Sequence, residues 1–200
     1  IEHKAEFENV GQWKRAWYYP KNNEKRFDAV QRESKAARES AGILDASTLG
    51  KIDIQGTDAS EFLNRVYTNA WSKLAIGKCR YGLMLNEDGM VYDDGVTTRL
   101  DENHYIMTTT TGGAANVLGK LEDYLQTEWP ELDVYLSSIT DHYATASICG
   151  PNSKKILNKL IPDLDLSDES FPHMSFKNAK IDNIKCRIMR ISFTGEHSYE

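Results

Sequence analysis

The sequence has few cysteines and no cysteine pair at metal-binding or disulfide-framework spacing. Cys79, Cys149 and Cys186 are far apart among 200 residues. This spacing argues against a disulfide scaffold and against a zinc site, so we predict no metal site and a reducing, cytoplasmic compartment. Cys149 and Cys186 fall in apolar, strand-like runs and are interpreted as small core residues.

Other absences exclude further classes of function. No apolar run approaches the roughly 20 residues that a membrane-spanning helix needs, and the N-terminus lacks the basic and apolar regions of a secretory signal. The net charge is −6 and basic residues are not clustered, so we expect neither a membrane nor a nucleic acid as a partner. The sequence contains no Walker loop, no GxGxxG motif and no internal repeat.

The hydrophobic pattern predicts an α+β fold. Apolar residues recur at helical spacing in four segments, at 27–41, from 57, from about 117 and from 151. Strand-like runs connect them, several joined as hairpins, which predicts antiparallel sheets with flanking helices. The predicted strands are 51–55, 80–85, 90–99, 104–110, 133–138, 142–149, 175–181 and 184–193. We interpret residues 1–25 as an extended lead-in.

Two adjacent carboxylates, Asp93 and Asp94, interrupt an apolar strand that follows the Asn86–Gly89 turn. Successive residues of a strand face opposite sides, so the two cannot share one environment. One interpretation is a solvated pair beside a turn. The other is that one carboxylate points into a pocket while its neighbour does not.

Three further stretches have both a structural and a functional interpretation. The segment 193–200 (FTGEHSYE) either forms a simple turn or contributes polar groups to a site. Gly150-Pro151 either turns a strand into a helix or places helix N–H groups at an anion. The aromatic run at 17–20 either covers a neighbouring apolar surface or stacks on a flat ligand.

In order and spacing, these stretches resemble the aminomethyltransferase family, which includes the T-protein of the glycine cleavage system. The shared motifs are 42–47 (GILDAS), 86–94 (NEDGMVYDD), 150–151 (GP) and 193–200 (FTGEHSYE). Three more stretches are similar to the branch formed by the α subunits of heterotetrameric sarcosine oxidases: 17–20, 67–71, and 107–113 with 125–130.

The resemblance implies a fold of three domains around a central folate site. Residues 1–48 plus 138–200 would form a discontinuous first folate-binding domain, and 49–137 an inserted second α+β domain. We expect the third, a C-terminal barrel, to lie beyond this chain, which would therefore be truncated.

The resemblance also implies roles for four residues. Asp94 matches the family's essential carboxylate beside the reactive nitrogens of tetrahydrofolate, and Glu200 its pterin-binding carboxylate. Tyr81 and Phe193 match aromatic positions that line the folate pocket. A carboxylate suits the chemistry because positive charge develops when an amine nitrogen attacks an iminium or formaldehyde carbon.

The sequence departs from the T-protein pattern at four positions. Phe193 lacks the hydroxyl of the aromatic residue usual there, and Gly95 replaces an apolar residue. Thr98 and Thr109 stand where Tyr and Asn are usual. The resemblance therefore does not imply the family's usual side-chain contacts at Gly95, Thr98 and Thr109, and at Phe193 it implies an aromatic ring without the hydroxyl.

The implied function is to pass the methyl-derived carbon of oxidised sarcosine to tetrahydrofolate, which gives 5,10-methylenetetrahydrofolate and glycine. The complete enzyme would use FAD, FMN and NAD and would assemble with β, γ and δ subunits. The isolated chain is expected to be inactive. Two alternatives stay open: a non-catalytic folate-binding scaffold and a glycine-cleavage-type aminomethyltransferase.

Overall fold

A computed structural model describes residues 2–200, which divide into two compact units. Unit 1 runs through Thr48 and resumes at Thr145–Glu200, and unit 2 is Leu49–Ala144. The predicted second boundary lay at 137/138. The division instead falls later because residues 135–138 form a strand that pairs inside unit 2.

Unit 2 is a five-stranded antiparallel sheet with helices on one face. Its strand order is β5-β6-β7-β4-β8. Apolar side chains of β4, β5 and β7 pack with Phe62 and Leu63 of α2 and with Val117 and Leu121 of α3, and together they form one buried core. The elements are β4 (Gly50–Gln55), α2 (Ala59–Val66), β5 (Cys79–Leu85), β6 (Val91–Asp101), β7 (His104–Thr109), α3 (Ala114–Asp123) and β8 (Tyr135–Ser138).

Unit 1 contains two antiparallel hairpins and a small three-stranded sheet in the order β12-β9-β3. Its core joins Leu157 of α4, and Ile161 directly after that helix, to Phe171, Ile188 and Tyr199. The elements are β1 (Glu6–Val10), β2 (Trp13–Tyr18), α1 (Arg26–Glu39), β3 (Gly42–Asp45), β9 (Ala146–Cys149), α4 (Ser153–Leu160), β10 (Ser175–Ile181), β11 (Ile184–Arg190) and β12 (Ser198–Tyr199).

The α+β prediction with antiparallel sheets is confirmed, since every pairing between the named strands is antiparallel. The prediction for residues 1–25 was wrong in part, because they contain the β1–β2 hairpin. Gly11 allows its turn by adopting a φ of +59°. Within residues 2–200, no helix is both long and apolar enough to span a bilayer.

Candidate functional site

The two adjacent aspartates lie on β6, which pairs with β5 through the hairpin turn at 86–90. Asn86 donates its N–H to the carbonyl of Met90 at 2.8 Å, and Gly89 turns the chain with a φ of +81°. Leu83 then pairs with Asp94, and Met84 with Asp93. Because side chains alternate along a strand, the two carboxylates project from opposite faces of the sheet.

Asp93 lies on the face that the helices cover and is only 4 % exposed. Its Oδ1 accepts a hydrogen bond from the Thr110 hydroxyl at 2.6 Å, and its Oδ2 accepts the Thr110 N–H at 3.2 Å. Burial raises the pKa of Asp93 because a desolvated carboxylate loses hydration when it is charged, while the bonds from Thr110 act in the opposite direction. Asp93 therefore anchors the loop that leads into α3, and the interpretation as a solvated pair is wrong for this residue.

Asp94 lies on the opposite face and forms a pair with Tyr81. The Tyr81 hydroxyl donates to Oδ2 of Asp94 at 2.9 Å. The two residues share a face because Tyr81 pairs with Val96, two positions along from the Leu83–Asp94 pair. The hydrogen bond to Asp94 is the main reason that the pKa of Tyr81 is raised, since it favours the protonated phenol. Tyr81 is 50 % exposed, so the pair offers an aromatic ring and a carboxylate side by side.

Tyr67 directly follows α2 and lies near the aspartates, but it was not among the predicted site residues. It is buried, and within residues 2–200 its hydroxyl has no hydrogen-bond partner. Burial raises its pKa, and the charges of Asp93 and Asp94 add to the effect. The sequence signal that could have identified it is its place at the start of the 67–71 motif, directly before a turn.

Phe193 and Glu200 belong to unit 1, whereas Tyr81 and Asp94 lie together in unit 2. Phe193 is 88 % exposed. It sits in a loop that the Ser192 hydroxyl closes by donating to the carbonyl of Glu196 at 2.6 Å. Glu200 exchanges two backbone hydrogen bonds with Met189, at 2.7 and 2.9 Å, which extends the pairing at the end of β11.

His197 fixes the end of the loop that carries Phe193. Its Nε2 lies 3.1 Å from the Arg190 guanidinium, which can only donate, so this nitrogen accepts. The Ser153 hydroxyl donates to the His197 carbonyl at 2.9 Å and lies 3.4 Å from Nδ1, which fits a neutral ring with its proton on Nδ1. Partial burial, and then the charge of Arg190, lower the pKa of His197. His197 is thus a hydrogen-bonded structural histidine.

The remaining sequence candidates have structural roles in this geometry. Gly150 has a φ of +108° and donates its N–H to the carbonyl of His197 at 2.9 Å, so it forms the turn between β9 and α4. In the aromatic run, the Arg26 guanidinium lies over the Trp17 ring at 4.8 Å, and the Tyr19 N–H donates to Oε1 of Glu33 at 2.8 Å. The Tyr81–Asp94 pair is thus the candidate functional site.

Comparison with known proteins gives the family context of this arrangement. A model of the GCVT N-terminal domain matches residues 1–200. The chain is 55 % identical over 201 residues to the sarcosine oxidase subunit alpha of Corynebacterium sp. strain U-96, covering 100 % of this chain and 21 % of that protein. It is 33 % identical over 175 residues to the aminomethyltransferase of Listeria monocytogenes, covering 87 % of this chain and 46 % of the relative. The chain thus spans about a fifth of the sarcosine oxidase subunits that it resembles.

Solved structures confirm the fold. The glycine cleavage system aminomethyltransferase T from Bartonella henselae superposes with a TM-score of 0.81 at 24 % identity, covering 99 % of this chain and 49 % of that one. A chain of heterotetrameric sarcosine oxidase from Corynebacterium sp. U-96 gives a TM-score of 0.56 at 15 % identity, covering 86 % and 82 %. At these identities the likeness concerns the fold alone.

Proposed function

Since the chain belongs to the GCVT N-terminal domain family, we propose that it is the folate-binding, one-carbon-transfer region of a sarcosine oxidase alpha subunit. It would receive the methyl-derived carbon of oxidised sarcosine on tetrahydrofolate, with 5,10-methylenetetrahydrofolate and glycine as products. The observation that carries this proposal is the Tyr81–Asp94 pair, which presents a carboxylate and a half-exposed ring on one sheet face.

The residues of this pair fit a reduced folate. A flat, nitrogen-rich ring system can stack on an aromatic side chain, and its amine groups complement a carboxylate acceptor. Tetrahydrofolate supplies amine nitrogens that accept the carbon. Asp94 would stabilise the positive charge that develops during the attack and would take the proton that is released. Tyr81 would hold the Asp94 carboxylate in place through its hydroxyl.

Phe193 and Glu200 are further proposed folate contacts, assigned by their match to the family motif. The exposed ring of Phe193 is available for stacking. A carboxylate at Glu200 could accept two parallel N–H bonds from the pterin edge. The oxidation of sarcosine, with FAD, FMN and NAD, and assembly with β, γ and δ subunits belong to the rest of the proposed enzyme.

A non-catalytic folate-binding scaffold is the second candidate, favoured by the replacements at Thr98 and Thr109. Both side chains are buried, at 1 % and 2 % exposure, so they cannot reach a ligand from an open surface. A glycine-cleavage-type aminomethyltransferase is a third candidate, which the 33 % identity to the Listeria protein supports. The higher identity to sarcosine oxidase subunits favours the first proposal.

The test supplies methyl-labelled sarcosine and tetrahydrofolate to the full-length enzyme and follows label into free formaldehyde and into methylenetetrahydrofolate. In Asp94→Ala, we expect label to shift to free formaldehyde while the rate of flavin reduction stays unchanged. The matched control is Asp53→Ala, which removes another carboxylate of the same sheet, one that accepts from Gln55 at 2.6 Å. Equal partitioning in wild type and Asp94→Ala would favour the scaffold.

A further inference from the structure

The threonine run at 108–111 has no role in the folate chemistry proposed above, yet it contacts β6 on both sides of Asp94. Thr108 is the last residue but one of β7, and Thr110 begins the loop before α3. Thr108 bonds to Val96, two residues after Asp94, and Thr110 bonds to Asp93, one residue before it.

The Thr108 side chain replaces a regular strand pairing. Its hydroxyl oxygen accepts the Val96 N–H at 2.9 Å and donates to the Val96 carbonyl at 3.2 Å. One hydroxyl therefore satisfies both backbone groups of a residue at which the β6–β7 pairing has stopped, since the paired residues begin at Thr97 and Met107.

Gly95 shows how closely the two strands approach at this point. A Cβ built on Gly95 would lie 1.9 Å from the Thr108 carbonyl oxygen. No side chain fits there, which explains in physical terms why Gly95 departs from the family's apolar residue. The residue next to Asp94 is thus held directly against the backbone of Thr108.

Thr110 fixes the other side through Asp93. Besides its two bonds to that carboxylate, its hydroxyl accepts the N–H of Gly113 at 3.1 Å. A Cβ on Gly113 would lie 2.6 Å from Oδ1 of Asp93, so the loop also needs glycine at this point. The buried Asp93 carboxylate, the Thr110 hydroxyl and the Gly113 N–H thus form one connected set of hydrogen bonds.

We propose that Thr108 and Thr110 are positioning residues that hold β6 at two points and thereby orient the Asp94 carboxylate. The proposal rests on the proposed function for the role of Asp94, but the contacts themselves do not depend on it. Positioning matters because a displacement of about 1 Å of a reacting group costs roughly a hundredfold in rate.

The experiment introduces Thr108→Val and Thr110→Val separately into the full-length enzyme, with Thr→Ser at each position as the rescue. Thr127→Val is the matched control, because its hydroxyl donates to the Asp123 carbonyl at 2.8 Å in the helical segment that follows α3. The first readout is the titration of the Tyr81 phenol, assigned by its loss in Tyr81→Phe, since the hydrogen bond from Tyr81 to Asp94 raises that pKa. The second is partitioning of label into methylenetetrahydrofolate.

We expect both valine variants to return the Tyr81 pKa toward that of an ordinary tyrosine and to lower transfer by roughly tenfold or more. Serine should restore both readouts, and Thr127→Val should change neither. Where a valine variant does not fold, Thr→Ala at the same position removes the hydroxyl without adding an apolar branch. A Tyr81 titration that stays unchanged in folded Thr108 and Thr110 variants would overturn the proposal. A changed titration with unchanged transfer would leave the positioning role intact and refute the catalytic role of Asp94.

Discussion

The two neighbouring aspartates, Asp93 and Asp94, differ in burial and in hydrogen bonding because they lie on opposite faces of the five-stranded sheet. On the face that α2 and α3 cover, Asp93 is almost fully buried, and both of its carboxylate oxygens accept hydrogen bonds from Thr110. On the opposite face, the half-exposed Tyr81 donates its hydroxyl hydrogen bond to Asp94.

This difference shows how one strand can serve stability and chemistry at once. Strand alternation sends the two carboxylates to opposite faces, and the helices decide which face is closed. Burial shields Asp93 from a ligand, whereas Asp94 lies on the face that carries the half-exposed Tyr81.

The largest expected effect tests whether Asp94 acts through its charge. Asp94→Asn preserves size and hydrogen bonding but removes the negative charge that would stabilise a developing cation. We expect it to lower folate-dependent transfer by about a hundredfold, equivalent to about 3 kcal/mol in barrier height. Single-turnover formation of methylenetetrahydrofolate measures this, and near-normal transfer in the Asn variant would show that charge is not the property required.

Asp93 should instead act on stability. Asp93→Ala removes the acceptor of the Thr110 N–H and hydroxyl. Thr110 itself is exposed, so water can replace part of these bonds, and we expect a loss of about 1.5 kcal/mol in the free energy of unfolding. Urea unfolding of the purified chain measures the loss. If Asp93→Ala and wild type unfold at the same midpoint concentration of urea, Asp93 does not anchor the loop.

Because Asp93 can ionise, its contribution to the free energy of unfolding depends on pH. Its pKa is raised in the folded state, so the stability contributed by the bound proton is complete below about pH 4 and is lost as pH rises through the raised value. Asp93→Asn cannot ionise. Its stability relative to wild type should therefore increase as pH rises through that window, and a constant difference would contradict the burial argument.

Tyr81→Phe should have a smaller effect than either aspartate substitution. It keeps the ring but removes the donor that orients Asp94. Because Tyr81 is half exposed, water can replace part of that hydrogen bond, and we expect transfer to fall only a few-fold, roughly 1 kcal/mol or less. The measurement is the same single-turnover assay, and a loss as large as that of Asp94→Asn would assign Tyr81 a direct chemical role.

The smallest expected effect is in unit 1, at His197. Its pKa is lowered, so its contribution to stability is present above about pH 6.5 and is lost as pH falls through the folded value. The charged groups acting on it are Arg190, Asp168, Lys154 and His173. The residue is more than a third exposed, so solvent screening limits the effect to a few tenths of a kcal/mol. In His197→Gln, the unfolding free energy should change less between pH 7.5 and 5.5 than it does in wild type. An equal change in both proteins would show that His197 does not contribute to the pH dependence of stability.

Much of the fold was predictable because most helices and strands are marked in the local sequence by hydrophobic periodicity and turn residues. The Asn86–Gly89 turn between apolar runs indicated the β5–β6 hairpin, and the helical spacing from Val117 indicated α3. The β1–β2 hairpin was missed since its strands carry no clean alternation. The strand β3 was not among the predicted strands, because its formation depends on pairing with β9, which lies far along the chain.

The site was predictable only in part. Alternation required Asp93 and Asp94 to differ, but only the family resemblance indicated which one faces a ligand. The partners Thr108 and Thr110 could not be assigned because their contacts depend on the register of β6 against β7. Tyr67 was missed for a similar reason, since its polar atom becomes significant only once the strands bring it near two carboxylates.

A crystal structure of the full-length chain with bound tetrahydrofolate tests the central claim most directly. The account predicts a carboxylate oxygen of Asp94 about 3 Å from one of the reactive nitrogens of the folate. Asp93 should still accept both hydrogen bonds from Thr110. A folate bound away from Asp94, or one contacted by Asp93 after its bonds to Thr110 are broken, would contradict the assignment of chemistry to one face of the sheet and stability to the other.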